Sequence, residues 1–341
     1  MPCSELRLME VCGTHTMAIA RAGLKSLLPE GVELVSGPGC PVCVTPPEVI
    51  DAALDLAMRP GVVIATYGDM VRVPGSRRGD SLARRRAMGA RVMVVYSPMD
   101  AVDWAESHPG SEVVFLGVGF ETTAPGTAAS LLEAAGRGVR NFSVFSMLKR
   151  VEPALRALTA QDGFNIQGFL CPGHVATIIG AEGFRFLPEE YGLPAVVAGF
   201  EPEDILLAVS RLIGLVRAGR AELENLYGRA VKAEGNPLAL EEMRRVFVPA
   251  GDSWRGLGEI DASGLALRAE FAEYDAVRKF GVEIPAAGGE TACRCGEVIT
   301  GRMPPAGCPL FGTACTPEDP VGPCMVSSEG SCAAAYKYEG V

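Results

Sequence analysis

The chain has 341 residues, 48% of them hydrophobic and 6% aromatic, with a net charge of −10 and eleven cysteines. That length allows two or three domains of roughly 100–150 residues, and the acidic balance argues against a nucleic-acid binder, since phosphate contacts need clustered Lys and Arg. The N-terminal "MPCSELRLMEVCG" has no apolar signal core, and the longest apolar run, "VVFLGVGF", is far short of the ~20 residues of a membrane helix. A soluble, cytoplasmic protein is therefore expected, in a reducing compartment that disfavours structural disulfides.

Short Val- and Leu-rich segments at 6–11, 32–36, 62–66, 91–96, 113–118, 141–145, 168–171 and 195–198 read as strands buried on both faces. Amphipathic stretches separate them, such as "PPEVIDAALDLAM" and "EPEDILLAVSRLIGLVRAG", the latter with Pro202 at a first helical position and Glu203 and Asp204 in the first turn. Alternation of this kind predicts parallel α/β sheets. The expected division is an α/β domain over 1–135, a second over 136–250 after the Gly-rich "EAAGRGVRN", and a small Cys-rich domain over 251–341. "GDSWRGLGEIDASGL" is expected to be loop, and Arg77, Arg78 and Arg84–Arg86 a solvated loop and helix start.

Sites in open parallel sheets form where strands end and loops turn into helices. Four loops here carry unusual residues at such positions. In "EVCGTHT", Cys12 and His15 lie close enough to share one metal, although a buried thiol and a capping His fit the fragment as well. In "SGPGCPVCVTPPE", Cys40 and Cys43 form a Cys-x-x-Cys of the redox type or half of a metal site. "FLGVGFETTAPG" offers backbone N–H groups for an anion, with Glu121 at its edge, or simply a tight strand-to-helix turn. "LCPGHVATIIG" adds Cys171 and His174. His108 reads as an exposed helix end, and Cys3 as part of a frayed terminus.

Six of the eleven cysteines fall between Cys293 and Cys332, spaced Cys-x-Cys, then twelve, six, eight and seven residues. No pair of Cys-x2-Cys knuckles is present, so a zinc ribbon is disfavoured. Six thiols exceed the four that a [4Fe–4S] cluster requires, and four ligands plus a redox pair is an economical division. The spacing does not say which four.

The motifs "MEVCGTHT", "GPGCPVCVTP", "GFETTAP", "PGHVATIIG" and the tail "CxCG…CPLFGTACTP…GPCMVSSEGSCAAAY" together resemble the HypD family of hydrogenase maturation factors, over nearly the whole chain. One departure is Ala176, where the family usually has Ser. The resemblance implies two parallel-sheet α/β domains plus a small iron–sulfur domain, and a redox-active scaffold rather than a conventional turnover enzyme. On such a scaffold the Fe(CN)2CO group of [NiFe]-hydrogenase is assembled with a HypC-type small chaperone and a HypE-type cyanide donor. By position it implies Cys12 and His15 as the site of a transient mononuclear iron, with Cys40, Cys43, Glu121 and His174 beside it. Cys293, Cys308, Cys315 and Cys332 would hold a [4Fe–4S] cluster, leaving Cys295 and Cys324 as a redox pair. Soft thiolates suit an iron carrying cyanide and CO. An iron–sulfur disulfide oxidoreductase of the ferredoxin–thioredoxin reductase kind is the alternative, and a zinc-stabilised interaction protein a third reading.

Overall fold

The computed structural model describes residues 6–285 and 292–340. The strands are β1 (Leu6–Glu10), β2 (Val32–Ser36), β3 (Val62–Thr66), β4 (Arg91–Val94), β5 (Glu112–Gly119), β6 (Phe142–Leu148), β7 (Gly168–Pro172), β8 (Ala195–Ala198), β9 (Leu223–Asn225), β10 (Phe247–Trp254) and β11 (Gly258–Leu267). All eight expected strands are present, and the fold is α/β with parallel sheets. The first sheet has the order β2-β1-β7-β8-β9 and the second β4-β3-β5-β6, every pairing within them parallel.

Each sheet has its first strand inside, its second at the edge and its third on the other side. In such an order, successive crossovers leave on opposite sides of one point, and a crevice opens there beyond the carboxyl ends of the strands. The first sheet opens between β1 and β7, the second between β3 and β5. Three of the four strands flanking these points, β3, β5 and β7, are largely apolar. Every residue of β3 and β7 is buried, because helices cover both faces.

Sheet membership crosses the expected division of the chain. Residue 136 lies in helix Ala124–Arg137, between β5 and β6, which pair with each other. Strands β1 and β2 pair instead with the strands from residue 168 onward. The chain thus enters the first sheet, leaves to build the whole of the second, and returns. Loop composition carries no trace of this, since a Gly-rich helix end looks alike within a domain and between domains.

The segment from residue 247 is a long antiparallel hairpin, not loop, and it belongs with the second sheet rather than with the tail. Arg150 N donates to Ser263 O at 2.7 Å, and Ser146 Oγ to Leu265 O at 2.6 Å. The hairpin escaped the sequence reading because glycines and a bulge between Ala250 and Asp252 interrupt its alternation. Lys149 at the end of β6 pins it: Nζ donates to Asp252 Oδ2 at 2.6 Å and to Ser253 O at 2.8 Å, and lies 5.2 Å from the ring centre of buried Trp254.

The Cys-rich tail was expected to form a small domain of its own. It instead shares one continuous core with residues of both sheets. Cys295, Cys315, Cys324, Met325 and Cys332 pack in the same cluster as Met9, Val11, Cys40 and Cys43. Helix Ser331–Tyr338 lies on helix Gly13–Arg21. The fit is close enough that a Cβ on Gly13 would come 2.3 Å from Glu329 Cβ. Part of the basic run closes the other side: Arg78 pairs with Asp319 at 2.6 Å, Arg72 donates to Pro317 O, and Asp69 accepts from Ser328 Oγ at 2.7 Å.

The Lys149–Asp252 pair yields a test of hairpin docking. Replacing one member of a buried pair strands the other's charge, at a cost of about 3–5 kcal/mol when both are dry. Asp252 retains some exposure, so Lys149→Met should cost about 2–3 kcal/mol in urea unfolding, whereas Arg140→Met, at a far more exposed pair with Glu273, should cost less than about 1 kcal/mol. Equal losses in the two variants would show that Lys149 does not anchor the hairpin.

Candidate functional site

Cys12 follows β1 directly, at the opening between β1 and β7, and begins helix Gly13–Arg21. Its backbone N donates to Glu10 Oε2 at 3.0 Å, while Thr16 Oγ1 donates to Glu10 Oε1 at 2.6 Å. The buried carboxyl of Glu10 therefore fixes the first turn of the helix. Burial pushes the Cys12 thiol up to about 12, against the backbone N–H groups of His15 and Thr14, which favour the thiolate; the nearby carboxyls of Glu329 and Glu10 raise it further. Cys12 rests as a thiol, and a metal ion is the kind of partner that displaces such a proton.

His15 is fully buried. Burial lowers it to about 4, so it is neutral and does not supply the positive charge that would stabilise a Cys12 thiolate. Its Nε2 lies 2.8 Å from Gly199 O and, facing a carbonyl, carries the hydrogen. Nδ1 then holds a lone pair and has no hydrogen-bond partner. A backbone carbonyl fixing one nitrogen while the other stays free is the pattern of a metal-ligating histidine. Phe200 lies between His15, at 4.7 Å between ring centres, and His174, stacked at 3.9 Å. His174 is exposed on its outer side, and the desolvation of its inner face lowers its pKa. The structure thus brings His15 and His174 to one aromatic side chain.

Cys40 and Cys43 form a disulfide. It spans the short helix Pro41–Val44, which starts just past β2, with Cys43 N donating to Cys40 Sγ at 3.2 Å. The turn lies against Cys12: Gly13 N donates to Gly39 O at 3.1 Å, and a Cβ on Gly39 would fall 2.3 Å from Cys12 N. Only glycine permits that approach. On its other side the helix packs against β5 and against the turn Pro323–Met325 that carries Cys324. The hydroxyl of Ser327 donates to Cys40 Sγ at 3.3 Å.

The six tail thiols line one small cavity with Val298, Leu310, Phe311 and Met325. Cys295 stands between Cys293 and Cys324, and thiol hydrogen bonds from both hold it well below the usual cysteine range; Cys293 and Cys324, donating, are raised. Among the described residues, no three His, Cys, Asp or Glu side chains are arranged as ligands of a single ion. A cluster makes a different demand, because each of its irons takes its own thiolate and the sulfurs stand further apart. Several thiols around an apolar cavity fit that demand.

A family model described as "Hydrogenase formation hypA family", HypD, matches residues 2–339. The chain is 47% identical over 340 residues to the hydrogenase maturation factor HypD of Rhodobacter capsulatus, covering 98% of this chain and 90% of that protein. It is 46% identical over 334 residues to the HypD of Escherichia coli (strain K12), covering 98% and 89%. The chain belongs to the HypD family. In this HypD-family chain Cys12, Cys40 and Cys43 come together with the turn of Cys324, whereas Glu121 stays with the second sheet. Its Oε1 accepts from Val151 N at 3.0 Å, and Oε2 is buried without a partner. Cys171 is a core thiol within β7, raised by burial. His108 caps an exposed helix end, as expected. Cys3 lies outside the described residues. Sequence reasoning missed Glu10, Phe200, Ser327 and Glu329. The acidic residue two before Cys12 was a usable signal, since a carboxyl at a buried strand end needs a reason.

Burial raises Glu121 from 4.5 to about 7. A carboxyl with a folded pKa above its unfolded one contributes stability that is fully present below about 4.5 and is lost as pH rises to about 7. His15, lowered from 6.5 to about 4, has the opposite slope, complete above 6.5 and lost as pH falls. Glu121→Gln removes the carboxyl's share alone. The variant should therefore gain on the parent protein by on the order of 3 kcal/mol in urea unfolding between pH 4.5 and pH 7. A gap that stays constant over this range would refute the assignment.

Proposed function

We propose that this chain serves hydrogenase maturation as a redox-active scaffold in the cytoplasm, holding iron as substrate while cyanide and CO ligands are added to it. The observation that carries this reading is that the Cys40–Cys43 disulfide shares one core with tail cysteines, while the turn leading into it lies backbone to backbone against Cys12. Cys12 and the free Nδ1 of His15 are the donors offered to iron, with the proton of Cys12 released on binding. A soft thiolate suits iron bearing cyanide and CO. The uncapped first turn of helix Gly13–Arg21 adds N–H groups that favour anionic ligands.

Cys293, Cys308, Cys315 and Cys332 are the residues proposed to hold a [4Fe–4S] cluster, which when bound supplies electrons one at a time. Cys295 and Cys324 then remain as the thiol pair at that cavity, with Cys324 in the turn that packs on the disulfide helix. The chain's own contribution is to exclude water, to keep Cys324 against the Cys40–Cys43 helix, and to donate from Ser327 to Cys40. The proposed partners are a HypC-type chaperone and a HypE-type cyanide donor. Among the described residues no helix is long and apolar enough to cross a membrane. The closed disulfide favours a second reading, an iron–sulfur disulfide oxidoreductase with Cys40–Cys43 as its substrate-facing pair and the cluster as its electron source.

Infrared spectroscopy of the protein copurified anaerobically with a HypC-type partner separates the two. The scaffold reading expects cyanide and CO bands, lost in Cys12→Ala, while tail iron and acid-labile sulfide remain. Bands persisting in Cys12→Ala would place the iron elsewhere. An absence of bands in every preparation, with turnover of an external disulfide, would favour the oxidoreductase. In the tail, Cys308→Ala or Cys315→Ala should release iron and sulfide and open the tail to protease, because metal–thiolate bonds supply folding free energy. A tail equally resistant without iron would contradict a structural role for the cluster.

A further inference from the structure

Arg255, in the turn between β10 and β11, occupies a place that the reading above does not use. Its backbone N donates to Val44 O at 2.8 Å, and its Nη2 donates to Thr45 O at 3.0 Å. These carbonyls close the C-terminal end of the Cys40–Cys43 helix, where partial negative charge gathers and a cation is favoured. The next residue, Gly256, has φ +79°, and a Cβ there would lie 2.6 Å from Gly296 O. Gly296 follows Cys295, so one two-residue turn touches both the disulfide helix and the tail. Arg255 Nε is buried with no partner, a cost that a side chain free to reach water would not bear. Lys149 holds the same turn to the second sheet, standing over the ring of Trp254, whose Nε1 donates to Ser263 Oγ across the hairpin at 2.8 Å.

We propose that Arg255 is a positioning residue that clamps the Cys40–Cys43 turn onto the tail, keeping the disulfide closed to external thiols and available to the tail thiols. The proposal rests on the thiol-relay part of the function inferred above. Its chemistry is local. An external dithiol reaches the disulfide only when the turn lifts, and the guanidinium bond to Thr45 O is one of the contacts that lifting must break.

The test is the rate at which dithiothreitol reduces Cys40–Cys43 in the full chain, followed by alkylation and peptide mass. In this reaction dithiothreitol gives up two electrons and two protons and closes its own ring. Arg255→Gln should speed reduction about tenfold, the change expected from losing one charged hydrogen bond, and Arg255→Lys, which keeps the charge without the planar fork, should fall between. Repeating the measurement in sub-denaturing urea separates local lifting from global unfolding: the clamp predicts a rate gain larger than the loss of global stability. Reduction at the parent rate overturns the proposal, as does a gain that merely tracks global stability. Neither result touches the Cys12 infrared assignment, so the clamp can fail while the scaffold reading stands, and the reverse.

Discussion

The parallel pairing of β1 with β2 is the constraint on which the site depends. The register runs from Leu6 opposite Val32 to Glu10 opposite Ser36, so both strands end at the same level. Two loops leaving neighbouring parallel strands at one level must share space, and here they do so backbone to backbone. Gly37 N donates to Glu10 O at 2.7 Å, and Gly13 N to Gly39 O at 3.1 Å. A slip of one residue would put Leu8 and Leu34 on opposite faces and separate Cys12 from the Cys40–Cys43 turn. The register is held because these leucines pack in the core beneath helices Gly13–Arg21 and Pro202–Arg217.

Everything brought together at that edge is dry, and dryness decides its resting state. Burial raises the Cys12 thiol, raises the Glu10 carboxyl to about 7 and lowers His15 to about 4. Each shift favours the neutral form. The site therefore carries little fixed charge of its own and keeps backbone N–H groups, a free imidazole nitrogen and a disulfide in reserve. Such a site responds most strongly to a ligand that brings positive charge, because in a low dielectric a thiolate paired with a cation is far better off than a thiolate alone.

The sequence revealed the parts of this arrangement whose physics is local. Eight strands were legible from runs such as 62–66, where every residue is apolar or β-branched. The glycine-bounded Cys12 and Cys40 loops were legible because residues of that kind at strand ends have few other uses. What was not legible is long-range. Nothing near residue 136 shows that β1 and β2 await partners from residue 168 onward. The hairpin was hidden by its glycines and bulge. The Cys-rich tail read as a separate small domain, yet four of its cysteines and Met325 join one core with residues of both sheets. Arg255 gave no signal, since an arginine in a Gly-rich turn looks solvated until its side-chain acceptor, the Thr45 carbonyl 210 positions earlier, is known.

The site is thus built from the two ends of the chain, closed by a hairpin from the second sheet. That arrangement has a thermodynamic consequence. The turn holding Cys324 and Ser327 packs on the Cys40–Cys43 helix, and Ser327 donates to the sulfur of the disulfide itself. Opening the disulfide replaces one bonded sulfur pair with two thiols that need more room in a core already in contact. If docking of the tail favours the closed form by some factor, closing the disulfide must favour docking of the tail by the same factor, because the coupling is reciprocal. Thiol state and tail position are then one equilibrium, and Ser327 from the tail and Arg255 from the hairpin are groups in contact with the Cys40–Cys43 turn.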